Sequence, residues 1–200
     1  VRSGRSCREA DDSLVPRGEG DAGWRRGGDE VAWWRYLVAF ALFLPLATRQ
    51  CTAPRTSHLL VIGNSITRHP PREQLGWDGD WGMAATAREH DWAHRVLVLL
   101  PGEVELHLVP CRAPELPGSL NSILDAVREI RPNVLIVQIG DNMAADDATE
   151  ETLRDPVVAI LKEADPSAQK VVVGIWGANV VRNELLWHAA EMGDVAFVRI

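Results

Sequence analysis

The stretch that decides the fold is HLLVIGNSITRH, residues 58–69, in which an apolar run ends on Gly63-Asn64-Ser65. An apolar run of this length is typical of a strand that is covered on both faces of a parallel sheet. At the end of such a strand, a glycine permits close backbone approach, and a serine can point its hydroxyl into the crevice above the sheet. The stretch therefore predicts a buried strand that delivers a candidate nucleophile, Ser65, although the same tripeptide is also typical of an ordinary turn.

A second polar loop, Gly140-Asp141-Asn142, follows another apolar run at residues 134–139. Because ligands of open parallel sheets bind at the carboxyl ends of the strands, we expect Ser65 and Asn142 to lie over the same edge. A serine nucleophile needs donors for the oxyanion that forms, and an asparagine amide can serve as one. The backbone amides of Ser65 and Ile66 are further candidate donors.

Strand-like and helix-like segments alternate from Ser57 onward. The runs of strand length are Leu59–Ile62, Val104–Val109, Val134–Ile139, Val171–Ile175 and Val195–Ile200. The segments with helical spacing are Trp81–Leu100, Leu120–Ile130, Thr149–Ala164 and Val180–Met192. This alternation predicts an α/β fold with a five-stranded parallel sheet and helices on both faces.

Composition narrows the classes of partner. The 200 residues suit one domain with tails, and the net charge is −7, with no cluster of basic residues and aromatics of the kind that nucleic acid needs. Nucleic acid is therefore not an expected partner. Cys7, Cys51 and Cys111 form no CxxC pair, so they indicate neither a disulfide framework nor a cysteine zinc site.

The first fifty residues differ from the rest. Residues 1–30 are rich in Gly, Arg, Asp and Glu, a composition that predicts a disordered leader. Residues 31–51 contain a short apolar run that follows three arginines, a pattern typical of an export signal or membrane anchor. We expect an exported or membrane-anchored protein with membrane association through residues 31–47; a buried helix is the alternative.

Three segments, LLVIGNSITRHPP, GWDGDWGMAATAREHDWAHRV and NVLIVQIGDNM, resemble the SGNH hydrolases, or GDSL-like lipases and acylhydrolases, in a branch whose first block reads GNSIT. The resemblance covers about residues 57–200. It implies a three-layer α/β/α, flavodoxin-like fold that hydrolyses carboxylic esters of an acylated glycan or lipid through an acyl-serine, without metal or cofactor. Ser65 then corresponds to the nucleophile and Asn142 to the oxyanion donor.

The resemblance also implies substrate-contacting positions. We assign Asn64, Trp77, Trp81 and Gly140 to substrate binding, although the two tryptophans could instead plug the sheet against the first helix. The glycine of the second family block has two candidate positions, Gly118 and the backbone around Ala113. Asp78, Asp80 and Asp141 lack the spacing of a calcium loop and give only a weak indication of a cation site.

The sequence departs from the family in its acid–base pair. Asn64 stands where many members have Asp, and Met143 follows the oxyanion asparagine where another Asp is usual. In the family, the base lies in a D-x-x-H loop after the last strand. We expect this catalytic His and its Asp to be absent from the chain. The domain is then expected to be C-terminally incomplete and its catalysis impaired. Asp91 and His94 form a D-x-x-H, but in a helical segment, where a helix-packing or surface pair is expected.

Two other histidines, His69 and His188, are candidates for the base. His69 could enter the crevice, where it would contact substrate or be solvated, and His188 falls in the last helix. A non-catalytic glycan-binding domain that uses the Trp77–Trp81 segment is the alternative function. A nucleotide-binding flavodoxin-like domain is disfavoured, because the first loop lacks the residues that cradle phosphate.

Overall fold

The computed structural model describes residues 56–111 and 118–200. The predicted leader (1–30), the predicted signal or anchor segment (31–51) and Ala113 lie outside the described residues. In the part of the chain that is described, no helix is long and apolar enough to cross a membrane.

Five parallel strands form one sheet. They are β1 (Ser57–Gly63), β2 (Val104–Pro110), β3 (Val134–Gln138), β4 (Gln169–Val173) and β5 (Ala196–Val198). Their order across the sheet is β2-β1-β3-β4-β5, with every neighbouring pair parallel. The predicted α/β fold with a five-stranded parallel sheet is confirmed.

The described α-helices are α1 (Trp92–Leu99), α2 (Leu120–Ile130), α3 (Asp155–Glu163) and α4 (Val180–Gly193). A π-helical turn over Glu150–Arg154 precedes α3, and Thr149 caps it by accepting a hydrogen bond from the Thr152 amide. Three of the four predicted helices therefore lie where their spacing placed them.

The prediction of one long helix over Trp81–Leu100 was wrong in its first half. Residues 81–87 form a loop, a short 3-10 turn follows over Arg88–His90, and α1 begins only after Asp91. Backbone hydrogen bonds to the segment after β1 hold residues 81–87 in a non-helical conformation. The His69 amide donates to the Trp81 carbonyl at 3.0 Å, and the Met83 amide donates to the Ser65 carbonyl at 2.9 Å. These long-range bonds outweigh local helical spacing.

Two apolar cores lie on opposite faces of the sheet. On one face, Leu60, Ile62 and Leu135 pack with residues of α2, α3 and α4. On the other, Leu59 and Val61 pack with α1. Alternate residues of β1 thus enter different cores, which is why the strand is apolar throughout and yields three layers.

The direction of strand addition reverses at β1, since β2 lies on one side of it and β3 on the other. In open α/β sheets, the crevice above such a reversal is where ligands bind. The loops after β1 and β3, which carry Ser65 and Asn142, flank this crevice.

Candidate active site

The turn after β1 is built by Gly63 and Asn64. A Cβ on Gly63 would stand 1.9 Å from Thr67 Oγ1 and 3.0 Å from the Gln138 carbonyl, so this position has no room for any other residue. Asn64 is fully buried; its Oδ1 accepts a hydrogen bond from the Ile66 amide at 3.0 Å, and its carbonyl accepts from the Thr67 amide at 2.9 Å. These bonds fix Ser65 at the tip of the turn. They also occupy the Ile66 amide, so the interpretation of Ile66 as an oxyanion donor does not hold.

Ser65 is half-buried and lines a cleft of about 650 Å³. The cleft is also lined by Arg68, His69, Arg72, Met83 and Asn142. The two residues that the sequence predicted to work together, Ser65 and Asn142, therefore face one cavity at the reversal point of the sheet.

The loop that carries Asn142 is held by α4. Gly140 adopts φ +106°, which favours glycine, and a Cβ there would meet Ile175 Cγ2 at 3.2 Å. Nη1 of Arg182 donates to the carbonyls of Gly140, Asp141 and Met143 at 2.8, 3.1 and 2.7 Å. One guanidinium thus fixes the backbone on both sides of Asn142, which is itself exposed.

Asp141 joins the loops after three strands. Its carboxylate accepts hydrogen bonds from Asn64 Nδ2 at 3.0 Å, from Gln138 Nε2, and from the Trp176 amide at 2.7 Å. Asn64 directly precedes the candidate nucleophile, and Asp141 directly precedes the candidate oxyanion donor. The Asn64–Asp141 hydrogen bond therefore fixes the position of one loop relative to the other. Of the two residues predicted to bind substrate, Asn64 lines the cleft as well as shaping its loop, whereas Gly140 is not among the described residues that line the cleft.

A second contact fastens the tryptophan segment to the nucleophile loop. Arg68 Nε and Nη2 each donate to a carboxylate oxygen of Asp80 at 3.0 Å. The hydrogen bond from Arg68 lowers the pKa of Asp80 below its usual value, and the same bond raises the pKa of Arg68. Asp80, considered above for a cation site, is thus engaged by an arginine.

The two predicted substrate-binding tryptophans contact each other. The rings of Trp77 and Trp81 meet edge to face with centroids 5.4 Å apart, and their indole nitrogens donate to the carbonyls of His69 and Ala85, each at 3.1 Å. Neither tryptophan is among the described residues that line the Ser65 cleft. Their visible role is to close the loop over residues 69–85.

All six histidines of the chain are among the described residues, and none has its ring hydrogen-bonded to Ser65. Asp91 is buried and caps α1 by accepting from the His94 amide at 2.8 Å, while His94 Nδ1 lies 2.8 Å from the same carboxylate. The D-x-x-H is therefore a helix N-cap pair. His188 lies on α4 beside Glu191, and His69 lines the cleft with Nδ1 2.6 Å from the Pro70 carbonyl.

The segment after β2 contributes Cys111, which is buried and lines the cleft. Its amide donates to the Gly63 carbonyl at 2.6 Å. Gly118, a candidate for the family's second-block glycine, is exposed. The other candidate position, around Ala113, falls between the two described ranges.

The sequence did not predict that Asp141 and Arg182 hold the loops of the site in place. The sequence indicates only a weak cation site at Asp141, and it predicts no role for Arg182. The position of Asp141 between Gly140 and Asn142 could have indicated its role. No local sequence pattern marks Arg182, because only the tertiary fold brings it to the loop that carries Asn142.

No protein-family model and no curated protein matches this sequence. Among solved structures, the psychrotrophic esterase EstA from a Pseudoalteromonas species has a TM-score of 0.50 and 10% identity, over 72% of this chain and 77% of that chain. TesA has a TM-score of 0.47 and 18% identity, over 70% and 77% of the two chains. An acetyl-xylooligosaccharide esterase from Geobacillus has 0.47 and 17%, over 74% and 78%. The likeness to EstA shows that this chain has the same three-layer α/β/α fold.

Proposed function

We propose that this chain is an SGNH-type serine esterase, in which Ser65 attacks a carboxylic ester and Asn142 helps to hold the oxyanion. The observation that carries the proposal is the placement of both residues on one cleft, with their loops joined by the Asn64–Asp141 hydrogen bond of 3.0 Å. The fold agrees with it, since solved structures of this architecture include esterases, one of them inhibited by monoethylphosphonate.

In the proposed reaction, Ser65 Oγ forms a bond to the ester carbonyl carbon while its proton passes to a base. The negative charge that develops on the carbonyl oxygen is stabilised by the Ser65 amide and the Asn142 side chain. The bond to the alcohol oxygen then breaks, and the alcohol leaves with a proton returned by the base. Water repeats the sequence on the acyl-serine, which releases the acid and regenerates Ser65.

The base is the part of the proposal that rests on the family resemblance. We propose that it is a histidine held by an aspartate, the D-x-x-H pair that the resemblance implies. A form without that pair would retain only the acceleration from binding and the oxyanion donors, and we expect these 200 residues to react slowly. Turnover of p-nitrophenyl acetate equal to that of a form extended past Ile200 would contradict this expectation.

Labelling by a fluorophosphonate tests the nucleophile directly, because the reagent traps an activated serine. We expect slow, single-site labelling that disappears in Ser65→Ala and is unchanged in Ser122→Ala, which removes an exposed hydroxyl on α2. Asn142→Ala should slow the reaction by about 10²–10³-fold, the usual cost of one oxyanion donor. Labelling that persists in Ser65→Ala, or that is as fast in Asn142→Ala as in the unaltered chain, would overturn the proposal.

The proposed substrate is an acylated glycan or lipid met outside the cytoplasm, because the sequence of residues 31–51 is typical of an export signal or anchor. Fractionation of cells that express the full chain checks the location. Recovery in the cytoplasmic fraction alone would count against it.

A further inference from the structure

Three potential metal ligands converge at the end of the sheet opposite the cleft. His58 lies near the start of β1, and Glu105 and His107 lie on the neighbouring strand β2. Residues two apart on a strand share a face, and the parallel register pairs His58 with Glu105 directly. The three side chains therefore meet on the face of the sheet that also carries Leu60.

The distances within this cluster match those around a tetrahedral cation. His58 Nδ1 lies 3.1 Å from His107 Nε2 and 3.5 Å from Glu105 Oε2, and His107 Nε2 lies 3.7 Å from Glu105 Oε1. Ligands bound to zinc at 2.0–2.1 Å with tetrahedral angles are about 3.3 Å apart. The triangle needs only small side-chain adjustments to accept such an ion.

The chemistry of the cluster favours a cation over a set of hydrogen bonds. His58 Nδ1 and His107 Nε2 face each other. If both rings are neutral, at most one of these two nitrogens donates a hydrogen to the other, so at least one of them offers a lone pair. The Glu105 carboxylate, which is acceptor-only, turns one oxygen toward each ring at distances beyond a good hydrogen bond. A divalent cation would accept all three donor atoms at once.

We propose that His58, Glu105 and His107 form a zinc-binding site. Two imidazoles and one carboxylate are a known zinc ligand set that leaves the fourth position to water, and imidazole disfavours Mg²⁺ and Ca²⁺. Because β2 is an edge strand, the ion ties the outermost strand of the sheet to β1. Roughly 16 Å of strand separates His58 from Gly63, so the site stabilises the sheet and takes no part in chemistry at Ser65.

Zinc titration of the full chain, followed by calorimetry and by thermal unfolding, tests the proposal. We expect one zinc ion per chain with these ligands, and a midpoint of unfolding that rises with zinc, since at 100 times the dissociation constant the folded-to-unfolded ratio grows about 100-fold. His107→Gln should weaken binding by more than about 10-fold and abolish the thermal shift. Cobalt(II) in place of zinc should give the visible absorption of a tetrahedral site without a thiolate charge-transfer band.

The matched control is His188→Gln, which alters an exposed His–Glu pair on α4 that has no third ligand within the described residues. It should bind zinc like the unaltered chain. If His107→Gln fails to fold, Glu105→Gln on the exposed side of the cluster serves instead. Equal zinc affinity in the cluster variants and the unaltered chain, no binding, or a thiolate cobalt spectrum would each overturn the site, whereas fluorophosphonate labelling of Ser65 is unaffected by any of these outcomes.

Discussion

The carboxylate of Asp141 accepts hydrogen bonds from Asn64, Gln138 and the Trp176 amide, and so draws together the loops after β1, β3 and β4. All three partners are donors, and only a carboxylate offers enough acceptor positions for them. A buried donor that loses its partner keeps the full cost of leaving water. The position of Ser65 relative to Asn142 therefore depends on a residue that need not touch substrate.

Asp141→Asn is expected to destabilise the chain by about 1–3 kcal/mol. The reason is that the NH₂ group of the new amide, a donor, would replace a carboxylate oxygen that accepts hydrogen bonds from donors. Labelling of Ser65 should slow as the two loops lose their alignment. Urea unfolding and the labelling rate measure the two effects. Asp146→Asn, on an exposed part of the same loop, is the control and should stay within about 0.5 kcal/mol of the unaltered chain. Equal behaviour of the two variants would contradict the role of Asp141.

Gly63→Ala is expected to cost about 2–3 kcal/mol or more, because its Cβ would overlap Thr67 Oγ1 at 1.9 Å and crowd the Gln138 carbonyl. Gly177→Ala is the control, since a Cβ there meets no atom within 4 Å. Chemical denaturation of both variants checks the difference. A stable Gly63→Ala chain would show that the turn after β1 can shift without loss.

At the scale of the element, α4 does more than cover the sheet. Asn179 caps its first turn by accepting from the Arg182 amide at 2.9 Å, and this places the Arg182 side chain beneath the loop of Asn142. Carbonyls that are partly withdrawn from water need donors, and Arg182 supplies one to Gly140, Asp141 and Met143. A helix start thus fixes the geometry of a loop about forty residues earlier in the chain.

Arg182→Met keeps much of the side-chain volume and removes the donor. We expect a loss of about 1.5–3 kcal/mol, the usual worth of hydrogen bonds to a charged group, together with slower labelling of Ser65. Arg182→Lys should recover only part of both, because the lysine ammonium lies on a differently shaped side chain and does not fall at the position of Nη1. Arg128→Met is the control: it breaks an exposed pair with Glu163, and solvent screening should leave the free energy of unfolding almost unchanged. The proposed role is wrong if Arg182→Met behaves like Arg128→Met.

At the scale of the whole molecule, the order β2-β1-β3-β4-β5 brings the Ser65 and Asn142 loops together above the reversal point. The tryptophan segment is then fastened to this edge by the Arg68–Asp80 pair and by the Met83–Ser65 backbone bond. Because the pair is partly exposed, its contribution is small and depends on the charge of Asp80.

The folded-state pKa of Asp80 lies below its unfolded value, so the pair contributes its stability above the unfolded pKa, near 4. That contribution is lost as pH falls through the folded pKa. We expect Asp80→Asn to lower the free energy of unfolding by at most about 1 kcal/mol at pH 6, and the difference from the unaltered chain to shrink below pH 4. Urea midpoints between pH 3 and pH 7 measure this. Asp78→Asn, at the exposed neighbouring carboxylate, is the control; a constant difference for Asp80→Asn across this range would contradict the prediction.

The sequence by itself determined the five parallel strands, three of the four helices and the positions of Ser65 and Asn142 at strand ends, because each follows from a local period of apolar residues and the turn residues that end it. Only the tertiary structure decided that residues 81–87 form a loop, that Asp141 binds Asn64 across 77 positions of the chain, and that His58 meets Glu105 and His107. Those contacts depend on which strands become neighbours and in what register, and no local pattern encodes a hydrogen bond between distant loops.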